Sequence, residues 1–276
     1  MQLSLDKRAG CTIRLATALL LGAAMAGLAT GQKAAHAKGQ PADATTAKSL
    51  AADAVRRMEA ADFRVTGRLV EASGGGSRKS YNLTVKAHRF PDGLRILCEI
   101  TAPAEARQRI LIKMTPTGQR IIEISKPGEK APHALPFEKW GDGIQGTAFS
   151  YEDLAESQFL WAQQALLPDA KYGARDCRVL KSEPGAADRS HYSAVSTWID
   201  KLTGAPVFVQ KTLQDGGKIK EFISYGLRQT GGFWSASQIE AKVQGSGGSS
   251  LLIFERGTAN AKLTRGDFDA AGAGKP

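Results

Sequence analysis

The chain has 276 residues, 42% of them hydrophobic and 23% charged, with 37 Lys and Arg against 27 Asp and Glu for a formal charge of +10. That apolar content excludes wholesale disorder, and 7% aromatic residues without a heptad repeat exclude a coiled coil. A chain of this size can bury a proper core as one large all-β or mixed domain.

Residues 1–37 read as a secretory signal. Lys7, Arg8 and Arg14 surround the start of a small, apolar run over 15–30, and Ala35-His36-Ala37 offers a small-x-small cleavage site. Cutting after Ala37 removes four basic residues and one acidic one, leaving 239 residues at +7. No later apolar run reaches the roughly 18 to 20 residues that span a bilayer. Cys11 precedes the apolar run and leaves with the signal, so no lipid-anchored cysteine is expected. Cys98 and Cys177 remain as an even pair in an oxidising space, where they can be bridged; the alternative is two buried thiols on separate strands, and spacing fixes neither.

Residues 38–46 (KGQPADATT) have the composition of a flexible leader. From 47 to 61, Leu50, Ala54, Val55, Met58 and Ala61 recur at helical spacing with Lys48, Asp53, Arg56 and Arg57 opposite, which predicts an amphipathic helix that covers a surface.

The period then changes to two. Alternating runs are expected around Phe63 to Leu69, Tyr81 to Ala87, Ile96 to Ile100, Ile110 to Met114 and Ile121 to Ile124, separated by turns such as Pro91-Asp92-Gly93. Over 125–169 prolines and glycines break the pattern. Ser150 with Asp153 three residues on suggests a capped start to a helical piece over about 151–166. Alternation resumes over 175–180, 192–199, 206–213, 219–227, 233–243 and 251–255. About eleven strands, one leading helix and a helical insertion describe a mostly β, α+β domain over 47–266: one strongly curved antiparallel sheet, an incomplete barrel with helices over its open side. From Asp267 the chain is expected to fray.

Chemistry is sparse. Gly141-Asp142-Gly143-Ile144-Gln145-Gly146 matches GxGxxG literally, but no apolar strand precedes it and no βαβ unit surrounds it, so a flexible glycine loop is the better reading. Glu152 with Asp153, and Glu138 with Asp142, could be offered as acid/base pairs, although a helix start attracts acidic residues without catalysis. His88, His133 and His191 lack metal-ligand spacing, and Asn82-Leu83-Thr84 is too common a pattern to weigh. Arg56-Arg57, Arg78-Lys79, Lys218 and Lys220 are scattered, which speaks against nucleic acid and allows brief contact with an anionic membrane surface. No catalytic residue, metal or cofactor is expected.

The runs Arg109 to Pro116 (RILIKMTP), Arg120 to Ile124 (RIIEI), Gly146 to Leu154 (GTAFSYEDL), Thr197 to Lys201 (TWIDK), Pro206-Val207 and Asp215 to Lys218 (DGGK) resemble the LolA-like outer-membrane lipoprotein-sorting family over most of the chain after the signal. The sequence departs from that pattern at Ala148, usually polar, and at Ile112 and Met114, often aromatic. The resemblance implies a periplasmic half-barrel holding acyl chains of lipids or lipoproteins in an apolar cavity, without enzymatic activity. For such a carrier the alternate strand positions Ile96, Ile100, Ile110, Ile112, Met114 and Ile122 are expected to point inward as the cavity wall, and Phe149, Tyr151, Leu154, Leu160 and Trp161 to belong to a lid; the other reading of the same residues is a filled core. The alternative is an envelope scaffold or sensor that uses the same fold, with a filled interior, to bind another protein.

Overall fold

The amphipathic spacing over 47–61 forms one helix, α1 (Ala47–Glu59). Thr46 caps it: its hydroxyl accepts from the Ser49 amide, and the Ser49 hydroxyl accepts from the Thr46 amide, each at 3.0 Å. Leu50, Ala51 and Ala54 on its apolar side bury against Phe159, Leu180 and Ile199. The computed structural model describes residues 45–129, 131–230 and 233–269. The signal, the cleavage site and residues 38–44 of the leader therefore lie outside the described residues, as do 270–276 of the tail.

Among the described residues fifteen strands follow the helix. They are β1 (Asp62–Ala72), β2 (Arg78–Phe90), β3 (Gly93–Ala102), β4 (Gln108–Met114), β5 (Arg120–Ser125), β6 (His133–Ala134), β7 (Gln163–Tyr172), β8 (Arg175–Glu183), β9 (Tyr192–Asp200), β10 (Pro206–Leu213), β11 (Ile219–Tyr225), β12 (Arg228–Thr230), β13 (Phe233–Ser235), β14 (Gln238–Val243) and β15 (Ser249–Ala259). Thirteen make one open antiparallel sheet in the order β6-β5-β4-β3-β2-β1-β15-β14-β11-β10-β9-β8-β7, while β12 and β13 form a separate hairpin. Each of the eleven expected runs contains a strand, and the count of eleven is corrected to thirteen in the main sheet plus two beside it.

The helical piece expected over 151–166 is not there. Two short 3-10 turns, Glu152–Ala155 and Ser157–Leu160, stand in its place, divided by Glu156 in a left-handed conformation with φ 40°, and the chain is already a strand from Gln163. A left-handed residue cannot continue an α-helix. The cover over the sheet is therefore one α-helix and a largely irregular segment.

Two meanders are sewn together where β1 pairs with β15 along its length, Phe63 opposite Ala259 and Ala72 opposite Ser249. A bulge between Thr66 and Gly67 interrupts this seam. Gly67 is required there, since a Cβ would sit 2.0 Å from the Ile253 carbonyl oxygen. The sheet also curls. If it were flat, β4 and β10 would lie seven strand spacings, about 34 Å, apart. Yet Tyr151 and Asp153, two residues apart in one turn, bond to Gln108 of β4 and Lys211 of β10.

Residues 267–269 do not fray as expected. Thr264–Asp267 closes a capping box on a 3-10 turn, and Phe268, 1% exposed, packs with Leu263 against Phe90, Leu97 and Leu111 on the outer face.

Candidate functional site

Residues paired across a ladder share a face of the sheet, so the registers trace the inner face strand by strand. Ile122 faces Ile112, which faces Ile96; Ile110 faces Cys98, then Val85 and Val65; Ile100 faces Leu83, then Gly67. Beyond the seam, Leu69 faces Leu252 and then Ile239, while Ala241 faces Phe222, Val209 and Thr197. The result is one apolar wall from β5 to β9. Of the residues expected on a cavity wall, Ile100, Ile110, Ile112 and Ile122 lie on this face buried in the main core cluster, and Ile96 is partly buried against it. Met114 shares the face but lies at its end near α1, beside a gap of about 20 Å³ shared with Val55, Met58 and Leu160.

A segment of the chain, residues 133–161, fills the curl of this wall. Trp140, Ile144, Phe149 and Ala155 are buried in the same cluster as the wall isoleucines, with Leu135, Phe137, Tyr151 and Leu154 partly buried around them. The glycine loop at 141–146 is a tight turn of this plug: Ile144 N bonds to Phe149 O at 2.8 Å, and a Cβ at Gly143 would meet Thr147 O at 2.3 Å. Of the five lid residues, Phe149, Tyr151 and Leu154 belong to the plug's core face. Leu160 lies by α1, and Trp161 joins a separate cluster with Tyr192 and Val195. At Ala148, where the family pattern has a polar side chain, the backbone amide instead bonds to Ser250 Oγ of β15 at 2.8 Å.

Polar anchors hold the plug to both meanders. Tyr151 OH accepts from Gln108 Nε2 at 2.8 Å on β4. Asp153 is the principal anchor: its carboxylate accepts from Ser150 N and Oγ, each at 2.8 Å, from Tyr192 OH at 2.7 Å, from Lys211 Nζ at 2.9 Å and from Lys220 Nζ at 2.8 Å. The two lysines face each other across β10 and β11 and are each 5% exposed. Burial pushes the Asp153 carboxyl up, but the two ammonium groups outweigh it and hold it below the usual carboxylate range. Burial, reinforced by Asp153, pushes the Tyr192 phenol up, so it stays a donor. Glu152 accepts from Ser190 Oγ at 2.5 Å, and from His191 N at 3.1 Å and Nδ1 at 2.9 Å.

Asp153 thus ties the segment to the sheet, and Glu152 ties it to the loop before β9. Glu138 and Asp142 are exposed and pair with Arg189 and Lys139, each at 3.6 Å. His88 bonds to Asp62 at 3.1 Å, and among the described residues no group of three or more His, Cys, Asp or Glu is placed to hold a metal. Cys98 on β3 and Cys177 on β8 are buried free thiols with seven strands between them in the sheet, which corrects the bridged alternative. An open cleft of about 820 Å³ at the tips of β7 and β8, lined by residues such as Tyr172, Asp200 and Leu202, contains none of the expected wall or lid residues.

The residues that the sequence reading missed are Trp140, Ile144, Tyr192, Lys211 and Lys220. A signal for the lysines existed: in Val209-Gln210-Lys211 and Lys220-Glu221-Phe222 each lysine takes the inward parity of an otherwise apolar alternation.

A family model described as uncharacterized protein matches residues 95–272. No curated protein matches the sequence. Among solved structures, a domain described as an outer membrane lipoprotein-sorting protein from Vibrio parahaemolyticus is similar with a TM-score of 0.71 at 19% identity, covering 80% of this chain and 95% of that one. A DUF1329 family protein from Desulfovibrio piger gives 0.74 at 13% identity, covering 82% and 97%. A LolA superfamily protein from Nitrosomonas europaea gives 0.64 at 20% identity, covering 83% and 99%. Among the described residues no helix is long and apolar enough to cross a membrane.

Proposed function

The chain belongs to the family described as uncharacterized protein and has a LolA-like fold, and we propose on that basis that it binds acyl chains in the envelope. In this reading it is exported to the periplasm by residues 1–37, works as a domain over 47–266, and carries lipids or lipoprotein acyl groups without covalent chemistry. The supporting observation is that an apolar wall across both meanders is filled by a separate segment tied on by polar contacts, rather than by a second sheet. The plug is thus a stand-in for a ligand, and Ile96, Ile100, Ile110, Ile112 and Ile122 are the surface an acyl chain meets when the plug moves.

The energies are of matching size. Each methylene moved out of water gains about 0.8 kcal/mol, so a chain of fourteen gains ~11 kcal/mol. Exposing Trp140, Ile144 and Phe149 costs roughly 2 to 3 kcal/mol each, and freeing Asp153 about 3 to 5 kcal/mol. Exchange of plug for chain is then close to balanced, as a carrier that must also release its cargo requires.

Mass spectrometry of lipid that co-purifies from the native compartment, together with displacement of a fluorescent fatty acid, tests the proposal. Absence of both lipid and uptake would overturn it. A filled interior also favours a second reading, an envelope scaffold or sensor whose plug is permanent core. That reading gains if the fatty acid is refused while a partner protein binds.

A further inference from the structure

Asp153 is a carboxylate that the chain itself supplies to two buried ammonium groups. Lys211 and Lys220 are directly opposed in register, both on the inner face, and each takes a different oxygen of the same carboxylate. Glu156 also acts on Lys211, but through space from the left-handed turn residue at 156 and without a hydrogen bond to either lysine among the described residues. The excess positive charge lies against aromatic rings, with Lys211 Nζ 4.9 Å from the Phe222 centroid and 5.1 Å from that of Tyr192, and Lys220 Nζ 5.7 Å from Tyr192.

Stability gives no reason for a second ammonium, since buried ion pairs replaced by apolar residues often cost nothing. Two further polar groups, one on the wall and one on the segment that covers it, lack partners. Thr197 Oγ1 and Trp161 Nε1 are buried without a hydrogen bond among the described residues. Thr197 pairs with Val209 on the inner face, next to the pair of Val195 with Lys211, and Trp161 packs on Val195. Two ammonium groups and one unpartnered hydroxyl therefore occupy neighbouring inward positions of β9 to β11, and a second spare donor sits in the segment packed against Val195.

We propose that Lys211 and Lys220 form a headgroup subsite for an anionic amphiphile, a phosphate or carboxylate carried on an acyl chain, which Asp153 occupies as an internal substitute while the plug is seated. The inference rests on the acyl-binding reading and adds the charge of the ligand and the contact that resists it. An incoming headgroup offers the same paired oxygens as Asp153, so binding and unlatching are one exchange.

The test uses the purified, delipidated protein and measures displacement of a fluorescent fatty acid by dodecyl phosphate, dodecanoate, uncharged monododecanoyl glycerol and inorganic phosphate alone. Dodecyl phosphate and dodecanoate are expected to bind at least about tenfold tighter than the uncharged glycerol ester, with no competition from inorganic phosphate. Lys211→Met, which leaves Asp153 and Lys220 as a one-to-one pair, brings the ratio of charged to uncharged affinity toward one. Asp153→Asn raises that ratio by removing the internal competitor; if circular dichroism shows that it does not fold, Lys211→Met decides. Equal binding of charged and uncharged amphiphiles overturns the subsite and leaves the acyl-binding reading intact. So does a preference that survives Lys211→Met, a ratio lowered by Asp153→Asn, or inorganic phosphate competing as well as its dodecyl ester. Refusal of every amphiphile overturns the acyl-binding reading and the subsite with it.

Discussion

Replacing Asp153 with Asn should unfasten the plug, and its size can be set against a control from the same cluster. With N···O distances of 2.8 and 2.9 Å and an effective dielectric constant of about 20, each ammonium–carboxylate attraction is roughly 6 kcal/mol. The lysines, opposed across the ladder at about 5 Å, repel by roughly 3 kcal/mol. Asp153→Asn forfeits both attractions and keeps the repulsion, and removal of one side of a buried pair costs about 3 to 5 kcal/mol after relaxation. Lys211→Met forfeits one attraction, relieves the repulsion and no longer desolvates an ammonium group, so its net cost should lie within about 1 kcal/mol of zero. Urea unfolding followed by tryptophan fluorescence at neutral pH measures both, with equal m-values as the check that only the native state has changed. A difference of at least about 2 kcal/mol is expected, with Asp153→Asn the worse. Equal costs, or a loss below about 1 kcal/mol for Asp153→Asn, would refute the idea that this carboxylate ties the plug to the sheet.

Acid should loosen the same tie: because the folded carboxyl is depressed, its stabilisation is complete above the unfolded value of about 3.9 and declines as pH falls below it, a trend that Asp153→Asn should flatten in pH-dependent unfolding curves. Trp140→Ala should cost about 3 to 5 kcal/mol of stability and yet tighten binding of a fluorescent fatty acid; weaker binding would make the ring part of the wall instead of the plug. Ile112→Ala, at 1% exposure, should cost about 2 to 5 kcal/mol, whereas Ile121→Ala on the same sheet, at 48% exposure, should stay within about 0.5 kcal/mol, both read by thermal unfolding. Alkylation in denaturant without reductant should modify both Cys98 and Cys177, while in the native protein Cys98, its thiol pushed up to about 12 by burial, should react very slowly.

Much of the fold was legible because one side of most strands is buried and the other wet, which writes a period of two into the sequence. β7 escaped because it is an edge strand exposed along most of its length, so Gln163-Gln164-Ala165-Leu166-Leu167 carries no alternation and reads as helix-forming residues. The plug was legible only as a break in pattern. Its burial comes from irregular backbone, where neither period applies, and Glu156 interrupts the helix that Ser150 and Asp153 advertise. Asp153 does engage Ser150, accepting from its amide and its hydroxyl, but what it ties down is a turn. The wall isoleucines follow from strand parity alone. Lys211 and Lys220 needed that parity to be trusted over their charge, and their shared partner lies 58 and 67 residues away, beyond any local pattern.

The seam between β1 and β15 joins residues almost two hundred positions apart and lies at the middle of the sheet. Closing so long a loop before any contact rewards it makes this the slow event of folding. Each meander can pair internally as it is synthesised, but β1 and β14 keep a bare edge until Ser249–Ala259 has emerged. The inner face is thus one of the last things the chain acquires, and a nascent chain stalled short of residue 249 would present two half-sheets with open edges, the state in which strands seek partners on other molecules.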